Sequence, residues 1–76
     1  MKPEVLVWLR ELRGMTRQRL GQKLGRSYWS IYRWETGKDP VPAATVSLLA
    51  KALGVSQKVL RMEDVEDVRV YLLSKT

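Results

Sequence analysis

The sequence predicts an all-α fold in one small domain, and three features of its 76 residues favour this class. Apolar residues recur three, four and seven positions apart, which is the spacing of one face of a helix. Glycine and proline separate these segments at lengths typical of short helices. The chain contains no cysteine, so disulfides are excluded and the packing of helices must supply the stability.

The segment over 16–25 predicts a helix followed by a tight turn. Thr16 is a candidate N-cap, because its hydroxyl can accept a hydrogen bond from a backbone N–H in the first turn. Leu20 and Leu24 lie four positions apart, on one face. Gly25 suits a left-handed residue at the C-terminus. Gly21 is small, as a close crossing of two helices requires.

The next segment predicts a second helix over 28–36. Ser27 is its candidate N-cap, and Ile31 and Trp34 give it a buried stripe. Ser30 is small at the expected crossing, and Gly37 ends the helix. Two short helices joined by a turn of about three or four residues form a helix-turn-helix.

Three more helices are expected: one over 3–13, one from 42 to 53, and a short one that begins after its N-cap Ser56. Their predicted apolar faces are Val5, Trp8, Leu9 and Leu12 with Leu6 at the margin, then Val46, Leu49, Ala50 and Leu53 widened by Leu48, and finally Val59 and Leu60.

The tail over 62–76 fits either a helix or a strand. Met62, Val65, Val68 and Leu72 are nearly helical in spacing, whereas Val68, Val70 and Leu72 alternate as in a strand. The apolar run over 70–73 predicts either a self-association surface or a tail folded back on its own core.

Charge is distributed unevenly along the chain. Residues 1–62 hold twelve of the fourteen basic residues and four of the eight acidic ones, a balance of +8, and the remainder carries −2. A basic body favours a polyanion such as nucleic acid as its partner, although charge of this kind also serves solubility alone.

Enzymatic function is not expected. The chain has no histidine and no cysteine, so the commonest general base and the usual metal ligands are missing. The acidic residues over 63–67 are interpreted as a solvated face or a helix cap. No cofactor, metal, small-molecule substrate or membrane span is expected, and we expect a cytoplasmic, nucleoid-associated protein.

The chain resembles the phage-repressor or Cro-like helix-turn-helix domains of the XRE type over roughly residues 5–61. The resemblance is carried by L-R at 9–10, R-G-M-T at 13–16, L-G-Q-K-L-G at 20–25, S-x-x-S-I at 27–31, R-W-E-T-G-K at 33–38, Pro42 and L-A-K-A-L-G-V-S at 49–56. It implies a five-helix repressor-like bundle over 1–61 that binds operator DNA, with its third helix in the major groove. Residues 62–76 would form a C-terminal extension and a possible dimerisation element.

The resemblance also implies which residues contact base edges: Tyr28, Trp29, Tyr32 and Arg33. The Arg33 guanidinium can donate two parallel hydrogen bonds to O6 and N7 of guanine. Its alternative is a phosphate contact or a surface ion pair. Tyr28 and Trp29 can pack on thymine methyl groups, or instead turn toward the core or a protein interface.

Further residues are expected at phosphates, and each basic one among them has a solvated surface charge as its alternative. They are Thr16, Arg17, Gln18, Arg26, Ser27 and Lys38. The resemblance further implies an ion pair between Arg10 and Glu35, which would tie the third helix to the first.

Three departures from the family pattern affect these assignments. Arg17 replaces the usual glutamine, Arg26 replaces an apolar residue and is expected to extend to solvent or a phosphate, and the third helix is unusually aromatic. The predicted function is a sequence-specific regulator of transcription, a repressor that binds double-stranded DNA as a homodimer. The alternative is a protein-interaction or RNA-binding module, which the aromatic residues favour.

Overall fold

The computed structural model describes residues 1–62 and 64–74, and this part of the chain is helical without strands. The helices are α1 (Pro3–Leu12), α2 (Arg17–Leu24), α3 (Tyr28–Glu35), α4 (Ala43–Leu53), α5 (Gln57–Leu60) and α6 (Val65–Ser74). The all-α class is therefore confirmed, and the first five helices lie where the sequence predicts them. The interpretation of the tail at positions 63, 75 and 76 lies outside the described residues.

The turn between α2 and α3 has the predicted caps. Thr16 Oγ1 accepts from the backbone N–H of Arg19 at 3.1 Å, and Ser27 Oγ accepts from that of Ser30 at 3.2 Å. Gly25 is left-handed, with φ at 67°. These three residues place the start of α3 directly beside the end of α2.

The core is a single cluster of apolar side chains drawn from all six described helices. Its buried members are Val5, Leu6, Leu9, Leu20, Ile31, Trp34, Leu49, Ala50, Leu53, Val59, Leu60 and Val68. No buried side-chain nitrogen or oxygen in the described part of the chain lacks a hydrogen-bond partner. No described helix is long and apolar enough to cross a membrane.

One residue of the predicted face of α1 is wrong, whereas Val5, Leu9 and Trp8 lie against the core as expected. Leu12 is 51% exposed, and Leu6 is buried together with Arg10. Arg10 points inward to an ion pair, a contact that apolar periodicity cannot register.

Two predictions for α4 and α5 also need correction. Leu48 is exposed and does not widen the stripe of α4, whereas Thr45, one turn before it, is buried beside the stripe. Ser56 stands at the N-cap position of α5, but its side chain makes no capping hydrogen bond.

The tail adopts a helix rather than a strand over the residues described. Val68 of α6 is wholly buried, and Val65, Tyr71 and Leu72 pack partly against the core. Asp64 Oδ1 accepts from the backbone N–H of Glu66 at 2.8 Å, which satisfies one donor in the first turn. The helix thus folds back on the domain, although Val70 and Leu73 remain exposed.

The crossing of α2 and α3 leaves no space for a side chain at position 21. The backbone N–H of Arg26 donates to the carbonyl of Gly21 at 2.8 Å, so the turn lies directly on α2. A Cβ on Gly21 would come within 2.7 Å of the Arg26 carbonyl oxygen. Because this atom belongs to the backbone, it cannot move without displacing the turn.

We predict that Gly21→Ala destabilises the fold. Overpacking of this kind costs about 1–3 kcal/mol, which outweighs the better helix propensity of alanine. Urea unfolding followed by circular dichroism measures the change, and Gln22→Ala, at an exposed position of the same helix, is the matched control. A Gly21→Ala variant as stable as the wild type would contradict the close approach.

Candidate nucleic-acid interface

Helix α3 has one side fixed in the core and the other exposed. Ile31 and Trp34 are buried, and they anchor the inner side among the apolar residues of the other helices. Tyr28 and Trp29 stand on the outer side, and Trp29 is 66% exposed. A large apolar surface of this kind on a small domain indicates a binding site.

Three aromatic rings on this outer side contact one another. Tyr28 and Tyr32 stack with their centroids 6.4 Å apart and their planes at 18°. The Trp29 ring meets both edge-on, at 5.5 Å from Tyr28 and 5.7 Å from Tyr32. We call these three residues the aromatic cluster; their mutual packing restricts each ring before any partner is bound.

Two cations lie against the ring of Tyr32. The guanidinium carbon of Arg17 is 5.3 Å from the ring centroid, and the ammonium nitrogen of Lys38 is 5.7 Å away. Both distances are within the range of cation–π attraction. The aromatic cluster is therefore flanked by positive charge from α2 and from the loop after α3.

A buried carboxylate connects α3 to α1 and α2. The side chain of Glu35 has no exposure to solvent. Arg10 donates from Nε to Glu35 Oε2 at 2.6 Å and from Nη2 to Oε1 at 3.1 Å. The third guanidinium nitrogen of Arg10, Nη1, donates to the carbonyl of Met15 at 2.8 Å. The ion pair that the resemblance implies is thus present, with full hydrogen bonding.

Arg17 is the second partner of this carboxylate. Its Nε donates to Glu35 Oε1 at 2.9 Å, and its Nη1 donates to the hydroxyl of Tyr28 at 3.3 Å. These hydrogen bonds, the one to Glu35 foremost, raise the pKa of Arg17 above its already high ordinary value. The side chain predicted to contact a phosphate therefore also holds α3 and the aromatic cluster in place.

Arg33 pairs with Asp39, a residue that the sequence did not single out. Arg33 Nε donates to Asp39 Oδ2 at 2.6 Å, and Nη2 lies 3.5 Å from Oδ1. The hydrogen bond to Asp39 raises the pKa of Arg33. In the free protein, the surface ion pair considered for Arg33 is therefore formed. A spacing of six residues across a loop is no helical pattern, so periodicity gave no signal for this pair.

The remaining predicted phosphate contacts lie around the first turns of α2 and α3. Thr16, Gln18 and Ser27 are exposed there. Arg26 is also exposed, and its Nη2 donates to Thr45 Oγ1 at 3.3 Å. The unusual charge at position 26 thus stays out of the core, as expected. Helix N-termini with exposed polar side chains nearby are suited to phosphate oxygens.

We predict that Arg10→Ala lowers the free energy of unfolding by about 3 kcal/mol or more, because a buried carboxylate loses one of its two cations. Base preference should change little, since Arg10 is buried. Urea unfolding and binding to a panel of duplexes measure the two effects. Arg19→Ala, an exposed arginine of α2, is the matched control. Unchanged stability of Arg10→Ala would refute this role of the pair.

Comparison with models of protein families matches residues 6–56 to a helix-turn-helix family. No curated protein and no solved structure matches the chain. The matched residues include most of α1, both helices of the motif and the whole of α4. They also include the buried pair of Arg10 and Glu35 and the whole aromatic cluster. The chain belongs to the Cro-like, XRE-type helix-turn-helix family, a family of DNA-binding regulators of transcription.

Proposed function

We propose that the protein binds double-stranded DNA in a sequence-specific manner, with α3 in the major groove, and that it represses transcription as a homodimer. The observation that carries this proposal is the division of α3 into two sides. Its inner side is fixed by Trp34 and Glu35, and its outer side presents Trp29 and its neighbours to solvent. A rigid helix with a chemically varied outer side is what groove readout requires.

Each outer residue of α3 has a role that its chemistry supports. Arg33 donates to O6 and N7 of guanine, the commonest specific contact in the major groove. Tyr28, Trp29 and Tyr32 pack against thymine methyl groups, and their polar atoms bind base edges or phosphates. Aromatic rings that already contact one another lose little conformational freedom on binding.

Phosphate contacts would orient the domain on the duplex. Thr16, Gln18 and Ser27 lie at helix N-termini, where backbone N–H groups and the helix dipole attract anions. Arg26 and Lys38 add exposed charge beside them. Arg17 can extend to a phosphate only with the N–H groups that Glu35 and Tyr28 leave unused. These contacts set the register without reading the sequence.

These assignments divide the chain into two parts with different roles. Residues 1–61 form the DNA-binding domain, and 62–76 form the extension through which two copies associate. One α3 covers only a short site, so a second copy doubles the contacts and favours a palindromic operator. Exposed Val70 and Leu73 lie three positions apart on α6, which places them on one face of that helix.

Repression needs only that the protein occupy its operator and exclude other proteins from it. The domain provides such occupancy through α3 and its surrounding charge, without a further surface. This function places the protein with the nucleoid in the cytoplasm.

The aromatic cluster also favours a second candidate function, binding to single-stranded RNA. Unpaired bases stack on exposed tyrosine and tryptophan rings, and nearby cations attract the backbone. Competition at fixed salt separates the two functions. If single-stranded RNA displaces the protein from a selected duplex more effectively than the unlabelled duplex does, the second function is favoured.

We predict that Trp29→Ala and Arg33→Ala weaken binding to a duplex selected from random sequences. For Arg33→Ala the loss should be about 5- to 150-fold, the value of one good bidentate base contact. Arg61→Ala removes the same charge from an exposed arginine outside α3 and is the matched control. Fluorescence anisotropy of a labelled duplex measures each dissociation constant.

The same titrations at several salt concentrations separate base contacts from phosphate contacts. Variants at phosphate positions should flatten the dependence of affinity on salt, whereas Trp29→Ala should not. Equal losses in Arg33→Ala and Arg61→Ala would contradict readout by α3.

We predict that the double variant Val70→Ser, Leu73→Ser weakens association of two copies and leaves the fold intact, because both residues are exposed in the single chain. Sedimentation equilibrium measures the association, and circular dichroism checks the fold. Leu12→Ser and Leu48→Ser, at exposed leucines of α1 and α4, are controls. Undiminished dimerisation of the double variant would exclude this face of α6 as the interface.

A further inference from the structure

The carboxylate of Asp39 contacts one particular edge of the Arg33 guanidinium. The group has five N–H donors, one at Nε and two at each Nη. Asp39 occupies the edge formed by Nε and Nη2, with distances of 2.6 Å and 3.5 Å to its two oxygens. Both N–H groups of Nη1 and the second N–H of Nη2 are outside this pair.

The edge that Asp39 leaves open is suited to guanine. Recognition of O6 and N7 needs two parallel donors from one guanidinium. The terminal edge, formed by Nη1 and Nη2, supplies two such donors while the Nε edge stays paired. Arg33 can therefore contact Asp39 and a guanine at the same time, and the ion pair need not break on binding.

The backbone holds Asp39 in place beside Arg33. Gly37 has φ at 77°, which reverses the chain after α3. The backbone N–H groups of Lys38 and Asp39 then both donate to the carbonyl of Arg33, at 3.0 Å and 3.2 Å. Pro40 follows directly and restricts the backbone of Asp39 to extended conformations. Asp39 is thus connected to Arg33 twice, by its backbone hydrogen bond to the Arg33 carbonyl and by its side-chain ion pair.

We propose that Asp39 is a specificity-determining residue, which positions Arg33 for guanine and opposes binding to other sequences. The inference rests on the proposed function of α3. Held by Asp39, the long arginine side chain gives up fewer conformations when it binds. The negative charge also repels phosphates at every sequence, and only a correctly placed guanine compensates for it.

Positioning of Arg33 strengthens binding to a guanine, whereas the negative charge of Asp39 weakens binding to every duplex. Because these two effects on affinity are opposite, the proposal can be tested. In Asp39→Asn the guanidinium loses its charged partner, so readout of guanine weakens. The same variant removes one negative charge from the interface, so binding to unrelated duplexes stays equal or becomes tighter. The pair is exposed, at 55% for Arg33 and 46% for Asp39, and such pairs contribute little to stability, so the variant should fold.

The experiment compares a selected duplex with the same duplex in which 7-deazaguanine replaces one guanine at a time. This base lacks the N7 acceptor. At the guanine read by Arg33, wild-type affinity should fall. The upper limit of the loss is the value of the whole bidentate contact, about 5- to 150-fold, because O6 remains as an acceptor. In Asp39→Asn the loss at that position should be smaller than in the wild type, within the range of about 2- to 13-fold for one unassisted hydrogen bond. Affinity for an unrelated duplex should not fall.

Two controls isolate the role of Asp39. Glu11→Gln removes the same charge from an exposed carboxylate on α1 and should leave the 7-deazaguanine effect unchanged. In an Arg33→Lys background, which lacks the two-donor edge, Asp39→Asn should no longer alter that effect. The Arg33 Nε–H resonance, observed by NMR in the free protein, should exchange faster with water in Asp39→Asn.

The outcomes distinguish this inference from the function on which it rests. If Asp39→Asn binds the guanine and 7-deazaguanine duplexes more tightly by the same factor, Asp39 is only an inhibitory charge and the inference is overturned. An unchanged loss at 7-deazaguanine in Asp39→Asn, or no sensitive guanine in the wild type, overturns it as well, while duplex binding itself survives. If the wild type binds no duplex, both the proposed function and this inference fail.

Discussion

The buried carboxylate of Glu35 is the constraint on which the arrangement of α3 depends. Its two oxygens accept from Arg10 of α1 and from Arg17 of α2, so one side chain fixes three helices relative to one another. A charge with no exposure is costly unless it is paired and hydrogen-bonded throughout. Because these bonds join α3 to both α1 and α2, the interaction helps to define which residues of α3 face outward.

The consequence for α3 is that its outer side is restrained in the free protein. Arg17 extends from Glu35 to the hydroxyl of Tyr28 and the ring of Tyr32, so the buried carboxylate restrains the aromatic cluster through Arg17. At the far end of α3, Asp39 holds Arg33 in a similar way. A surface restricted at both ends loses less conformational freedom on binding than one of free side chains.

Much of the fold could be predicted from local features. The caps at Thr16 and Ser27 and the left-handed Gly25 depend on a few neighbouring atoms, and each lies where expected. The predicted buried faces were incomplete where a polar residue is buried, as with Arg10 in α1 and Thr45 in α4. Periodicity detects apolar residues alone, so a buried polar residue escapes it. In the candidate site, the residues of α3 and the pair of Arg10 with Glu35 could be named, but not the contacts of Arg17 with Glu35 and of Asp39 with Arg33.

The sequence by itself determined the number and order of the first five helices and the turn between α2 and α3. These depend on propensity, capping and spacing within one or two helical turns. The tertiary structure decided that α6 is helical over Val65–Ser74, that Arg17 binds Glu35, and that Asp39 pairs with Arg33. Such contacts join residues across loops or helices, and the free energy that selects them comes from packing and pairing that exist only once the chain has folded.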